Sequence, residues 1–319
     1  MVPIAGAVNE LLDAAQADRN DRQEPTAGSE AMEDVSQQDR FAFPDTTTED
    51  GSNEGVIDVG RAMASLNLSV GEDHTRAFAS MILDTERTFV WSLPVLGRAA
   101  VEAFGSARHL AERGIGTRRR AGRVVNEMIY SAANVDRLPS EARGQEKRMK
   151  NRVDQALAMG LKKMPSTRNK PPSFEEQRPG LAEIVSRLYA PDRLGKVVYN
   201  YWSAVSHATQ WGLYQSFGEP VDEGPLGALK APVVLTVDAV WTIALLLVLA
   251  HLETLEHYMQ WNGWDAPTYA DAMKRHRPAF DEWVGRHADR TAMDPMLLPA
   301  SALSLARTFL WLPPGVTTA

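Results

Sequence analysis

Twenty consecutive residues, APVVLTVDAVWTIALLLVLA (231–250), carry a single charge, Asp238, and run directly into the polar HLETLEH (251–257). A helix of about 20 apolar residues is long enough to cross a bilayer. An acid within such a span costs about 3 kcal/mol on insertion scales, however. No second span accompanies it, and Lys and Arg do not cluster at its ends. A helix apolar on all sides is also what the centre of a helical bundle requires. The run therefore predicts a buried core helix without a membrane, and it obliges the rest of the chain to supply the helices that cover it.

The remaining sequence has the periodicity for that covering. Phe78, Ile82, Phe89, Leu93 and Leu96 recur at helical spacing. Pro94 is expected to end one helix near Ser92 and to start the next, which runs to about Arg113. Gly114 and Gly116 supply a stop, and Thr117 an N-cap for a helix from Arg118 to about Leu138. Further helices are predicted over 142–163, 181–190, 192–217, 232–261 and 268–288, with a polar, proline-rich connector at 165–180. Strand alternation and internal repeats are both lacking. The predicted fold class is all-α, a multi-helix bundle.

Charge sets the expected domain boundaries. Residues 1–60 carry fourteen acids against three arginines, in a chain whose net charge is −7. With little apolar periodicity, residues 1–72 read as a disordered acidic region containing one short helix at about 7–17. Its acids solubilise the chain or shield a basic surface of it. Residues 73–290 form the predicted bundle. The apolar segment 291–319 is expected to dock on that bundle or to make a homodimer interface. The N-terminus lacks a basic n-region and a long apolar stretch, which predicts a cytoplasmic protein. The 319 residues include no cysteine, which excludes disulfide scaffolds, thiolate metal sites and thiol nucleophiles.

Three polar stripes lie on helix faces. Tyr199, Ser203 and His207 follow at i, i+4 and i+8, where side chains stack along one face. A histidine exchanges protons near neutral pH, and a hydroxyl one turn away can orient it. The same pattern also suits a histidine hydrogen-bonded inside a core. Arg98 and Glu102 lie one turn apart on an apolar helix, either as a structural bridge or as an anion clamp beside a proton acceptor. Arg119, Arg123 and Glu127 form the third stripe, the candidate ligand-binding set. Residues 98–178 hold eighteen basic and nine acidic side chains, a balance that attracts RNA or another phosphate-bearing ligand. A solvated helical surface is the alternative.

Other signals exclude chemistry. His251 and His257 are six residues apart, which matches neither the zinc nor the di-iron spacing. Phosphate loops of the P-loop and Rossmann types are absent, as is the nucleophile elbow of hydrolases. The expectation is no metal and no cofactor.

Taken together, SLPVLGRAAVEAFGSARHL, the arginine-rich helix, Tyr-x-x-x-Ser-x-x-x-His and the later GWD (263–265) resemble a group of actinobacterial helical proteins. That group is distantly similar to the HEPN superfamily. The resemblance spans about residues 75–290. It implies a helical bundle that often dimerises and includes RNA-cleaving toxin and defence proteins. Cleaving members have an arginine, then four to six residues, then histidine, and none of the seven histidines here has an arginine at that offset. An equivalent pair would have to be composite, with Arg98 or Arg123 arriving beside His207 from another helix. The resemblance then implies metal-independent RNA cleavage by His207 and an arginine, with Ser203, Tyr199 and Glu102 in support. The alternatives are a non-catalytic interaction or regulatory protein, and a small-molecule enzyme of specialised metabolism with an aromatic pocket.

Overall fold

Small residues bring the central helices together. In the computed structural model, which describes residues 2–20, 22, 24–47, 53–84, 91–134, 142–165, 170–189, 194–207, 222–223, 229–230 and 237–288, the chain begins with α1 (Val2–Asn20), α2 (Glu30–Ser36), β1 (Ala42–Thr47) and β2 (Asn53–Gly55). It continues through α3 (Val56–Leu83), α4 (Ser92–Leu110), α5 (Thr117–Asn134), α6 (Ala142–Ala158), α7 (Leu181–Ser186) and α8 (Leu194–Ser206). After β3 (Asp222–Glu223) and β4 (Leu229–Lys230) come α9 (Val237–Asn262) and α10 (Pro267–Ala288). Among the described residues, the strands form two short antiparallel pairs, β1 with β2 and β3 with β4. The protein is all-α.

Among the described residues, the most extensive helix packing is α3 against α4. A methyl group on Gly71 would lie 2.5 Å from the Phe104 ring, and one on Gly60 would lie 2.4 Å from Val124 of α5. Glycine is therefore what lets these helices meet. On α4, Gly97 leaves room for Trp202 of α8 and Ile243 of α9. That contact sets α8 beside α4 one residue before Arg98. Helix α9 is the core helix the apolar run predicts: every residue from Ile243 to Ala250 is buried, against α4, α3 and α1. It is the one helix among the described residues long and apolar enough to cross a membrane, and 67% of its most apolar window is buried inside the protein.

The N-terminal region departs from the expected disorder. Helix α1 buries Ile4, Val8, Leu11, Leu12 and Ala15, a helical spacing, against α3 and α10. The expected boundary at residue 73 falls inside α3. The reason is that much of the buried face of α3 is Gly60, Ala64, Gly71 and Thr75, residues that add little to an apolar pattern but allow close packing. The acids of this region are also partnered. Asp18 accepts the backbone N–H groups of Thr268 (3.2 Å) and Tyr269 (2.8 Å), capping the first turn of α10 where a negative charge is favoured. Asp34 accepts from Arg120 (2.7 Å) and from the Trp261 indole (3.0 Å).

Smaller departures have local causes. Pro94 neither breaks nor starts a helix: α4 begins at Ser92, and its first turn tolerates proline because no intrahelical N–H is lost there. Helix α6 ends five residues early, at Ala158, and the expected continuation of α5 from 135 to 138 lies outside the described residues. Gly114 and Gly116 make the expected stop with φ of +72° and +68°. The expected continuation of α8 to 217 and the apolar segment 291–319 lie outside the described residues.

Candidate active site on α4 and α8

Arg98 and Glu102 are one turn apart on α4, and the Arg98 Nε–H donates to Glu102 Oε1 at 2.8 Å. Nη1 of the same guanidinium lies 3.1 Å from Nε2 of His207, the exposed residue that follows α8. A guanidinium has only donors, so the imidazole accepts through an unprotonated Nε2. Tyr199, two turns back on α8, places its ring 5.4 Å from the Arg98 carbon. Burial opposes the Arg98 charge, but hydrogen bonding and attraction to Glu102 outweigh it and raise the guanidinium above its ordinary pKa. Burial, followed by the Glu102 carboxylate, raises the Tyr199 phenol. The composite arginine–histidine pair predicted from two separate stripes therefore forms, with Arg98 as its arginine. Ser203 shares the face, and its carbonyl accepts the His207 N–H at 3.0 Å.

The third stripe is arranged differently. Arg123 is buried; it donates to the His109 carbonyl (2.6 Å), to Glu112 (2.5 Å) and to Glu176. Arg119 also donates to Glu176. Glu127 receives both prongs of Arg178 at 2.9 Å, and the Arg178 guanidinium lies 3.5 Å from the Tyr130 ring centroid. The polar connector 165–180 supplies both partners, and Asn126 fastens it by exchanging hydrogen bonds with the backbone of Phe174 (2.7 and 3.0 Å). In place of the expected open ligand-binding set, Arg119, Arg123 and Glu127 form a clasp, with carboxylates neutralising the arginines. Arg123 is thereby excluded as the partner of His207.

A further polar cluster has no counterpart in the sequence reading. Glu72 of α3 binds Arg19 of α1 and, at 2.9 Å, Nε2 of the buried His251. The Tyr269 hydroxyl lies 3.3 Å from His251 Nδ1. Burial pushes Glu72 upward, yet the hydrogen bond from His251 and the charge of Arg19 hold it below the usual carboxylate range. Glu72 and His251 are separated by 179 residues, so no local spacing could signal them. Among the described residues, no group of three or more His, Asp or Glu side chains is arranged to hold a metal ion.

Comparison with family models, with curated proteins and with solved structures yields no match to this chain.

Proposed function

We propose that the protein is an HEPN-like helical protein of the cytoplasm that cleaves RNA without a metal, in a defence or toxin setting, with a homodimer as its expected assembly. The observation that carries this reading is the 3.1 Å approach of Arg98 Nη1 to His207 Nε2, across two helices and at the surface. In this mechanism, Nε2 of His207 exchanges its hydrogen bond from Arg98 for one from a ribose 2′-hydroxyl, and takes that proton as the oxygen attacks the adjacent phosphorus while the Arg98 guanidinium turns to the phosphate. The bond from phosphorus to the 5′-oxygen breaks, and that oxygen takes a proton from water and leaves as a 5′-hydroxyl, while His207 later returns its proton to solvent. The other product is a 2′,3′-cyclic phosphate. Arg98 donates to the phosphoryl oxygens as negative charge builds on them. Glu102 holds the guanidinium in place, and the Tyr199 ring supports it.

The test is incubation of the full chain with 5′-labelled single-stranded RNA in excess chelator. Cyclic-phosphate products are expected from the native chain, and His207→Ala should slow their formation at least about 100-fold. Intact RNA with the native chain, or full-rate cleavage by His207→Ala, would overturn the proposal. A second reading, a non-catalytic interaction or regulatory protein, draws on the α5 clasp, whose arginines serve internal contacts. Under that reading His207→Ala changes partner binding or melting temperature and no RNA is cut.

A further inference from the structure

A concave site lies away from the Arg98–His207 pair and shares no residue with it. It is a cleft of about 440 Å³ where the end of α1 meets α3 and the corner between α9 and α10. This volume lies in the ordinary range for small-molecule sites. Arg19, Arg22 and Arg76 line it, together with Ser69, Glu72 and Trp264. The floor is fixed from behind: Glu72 is held by buried His251, which in turn contacts the Tyr269 hydroxyl. Trp264 is fixed as a wall by its indole N–H, which donates to the Glu24 carbonyl at 3.0 Å.

Donors remain unused in this rigid frame. Arg19 binds Glu72 through Nη2, while its Nη1 is buried and has no partner among the described residues. Arg22 donates to the Asp265 carbonyl at 2.6 Å, and no carboxylate among the described residues pairs with it. Arg76 is engaged with Asp13 at 2.7 Å. Of the two acids in the lining, Glu72 is committed to Arg19 and His251. Asp73 is exposed and without a partner among the described residues. A buried N–H without an acceptor is costly, and guanidinium groups bind oxyanions with forked geometry.

We propose that this cleft binds a small polar molecule carrying a carboxylate or phosphate group, with the oxyanion received by Arg22 and the free edge of Arg19. A hydroxyl or ammonium on the same molecule meets Asp73. The aromatic edge of Trp264 bounds the ligand on the side of the α9–α10 corner. Binding at Arg19 joins α1 to α3, so occupancy stabilises the folded chain.

The test is thermal unfolding of the full chain with inorganic phosphate and, separately, with glycolate, against sodium chloride at equal ionic strength. At about ten times the Kd, one of the two probes raises the midpoint by about 2–4 °C. Which probe acts distinguishes a phosphate ester from a hydroxy acid as the physiological class. Arg22→Gln and Ser69→Trp should each abolish the rise, and His207→Ala should leave it unchanged. No rise with either probe, or an equal rise in Arg22→Gln, would overturn the proposal. Arg22→Gln carries this test even if the bulk of Ser69→Trp disturbs folding.

Discussion

Arg98 on α4 and Arg123 on α5 look alike in sequence, each an arginine with a glutamate four residues further on, within a helix that also carries apolar residues. Their surroundings separate them. Arg123 is buried, is bound by two carboxylates and a carbonyl, and clasps a connector to its helix. Arg98 has one carboxylate, a half-buried tyrosine and an exposed histidine at hydrogen-bond distance. Spacing predicts which side chains share a face. Whether that face becomes scaffold or chemistry depends on what the distant chain brings to it.

The comparison breaks first at the clasp end, where effects on stability are largest. Arg120, the neighbour of the stripe, is buried between Asp34 and two backbone carbonyls and lies 4.4 Å from the Trp261 ring centroid. Arg120→Ala leaves Asp34 buried and uncompensated, so urea unfolding should show a loss of about 3–5 kcal/mol. At the open end the sign is reversed. His207→Ala should leave the urea midpoint nearly unchanged, within about 0.5 kcal/mol, while removing RNA cleavage.

Acid sharpens the same contrast. Burial, followed by the nearby Arg123, lowers His109 to a pKa of about 2 from 6.5. His109 therefore stays neutral in the fold while the unfolded chain takes up a proton. Its contribution is complete above pH 6.5 and falls as pH drops below that value, by up to about 1.4 kcal/mol per unit. Urea midpoints measured between pH 7 and 5 should show this slope, and His109→Gln should flatten it. The smallest effect belongs to Arg118, an exposed arginine that pairs with the half-buried Glu175. Arg118→Gln should change stability by about 0–1 kcal/mol.

What was legible in the sequence follows from the same physics. The core helix α9 announced itself by unbroken apolarity, and the two halves of the α4–α8 site by four-residue spacing. Their meeting depends on Gly97, whose missing side chain admits Trp202, and nothing in either stripe encodes that. The short helix expected at 7–17 lies within α1, but the rest of the N-terminal region was read as disordered because α1 and α3 pack partly through alanine and glycine, and because its acids find partners far along the chain. Asp34 and Arg120 are 86 residues apart. The connector 165–180 read as a polar linker, yet Glu176 and Arg178 within it close the clasp. The Glu72–His251 floor of the cleft had no sequence signal at all.

The most direct test of the contrast between the arginine that meets His207 and the exposed arginine held by Glu176 is RNA affinity measured across salt concentration for Arg98→Gln and Arg119→Gln in the full chain. An arginine that contacts phosphate loses affinity on substitution and lowers the salt slope by about one. The account predicts that result for Arg98→Gln and native affinity and slope for Arg119→Gln. The reverse, with affinity lost at Arg119 and kept at Arg98, would place RNA on α5 and contradict the account.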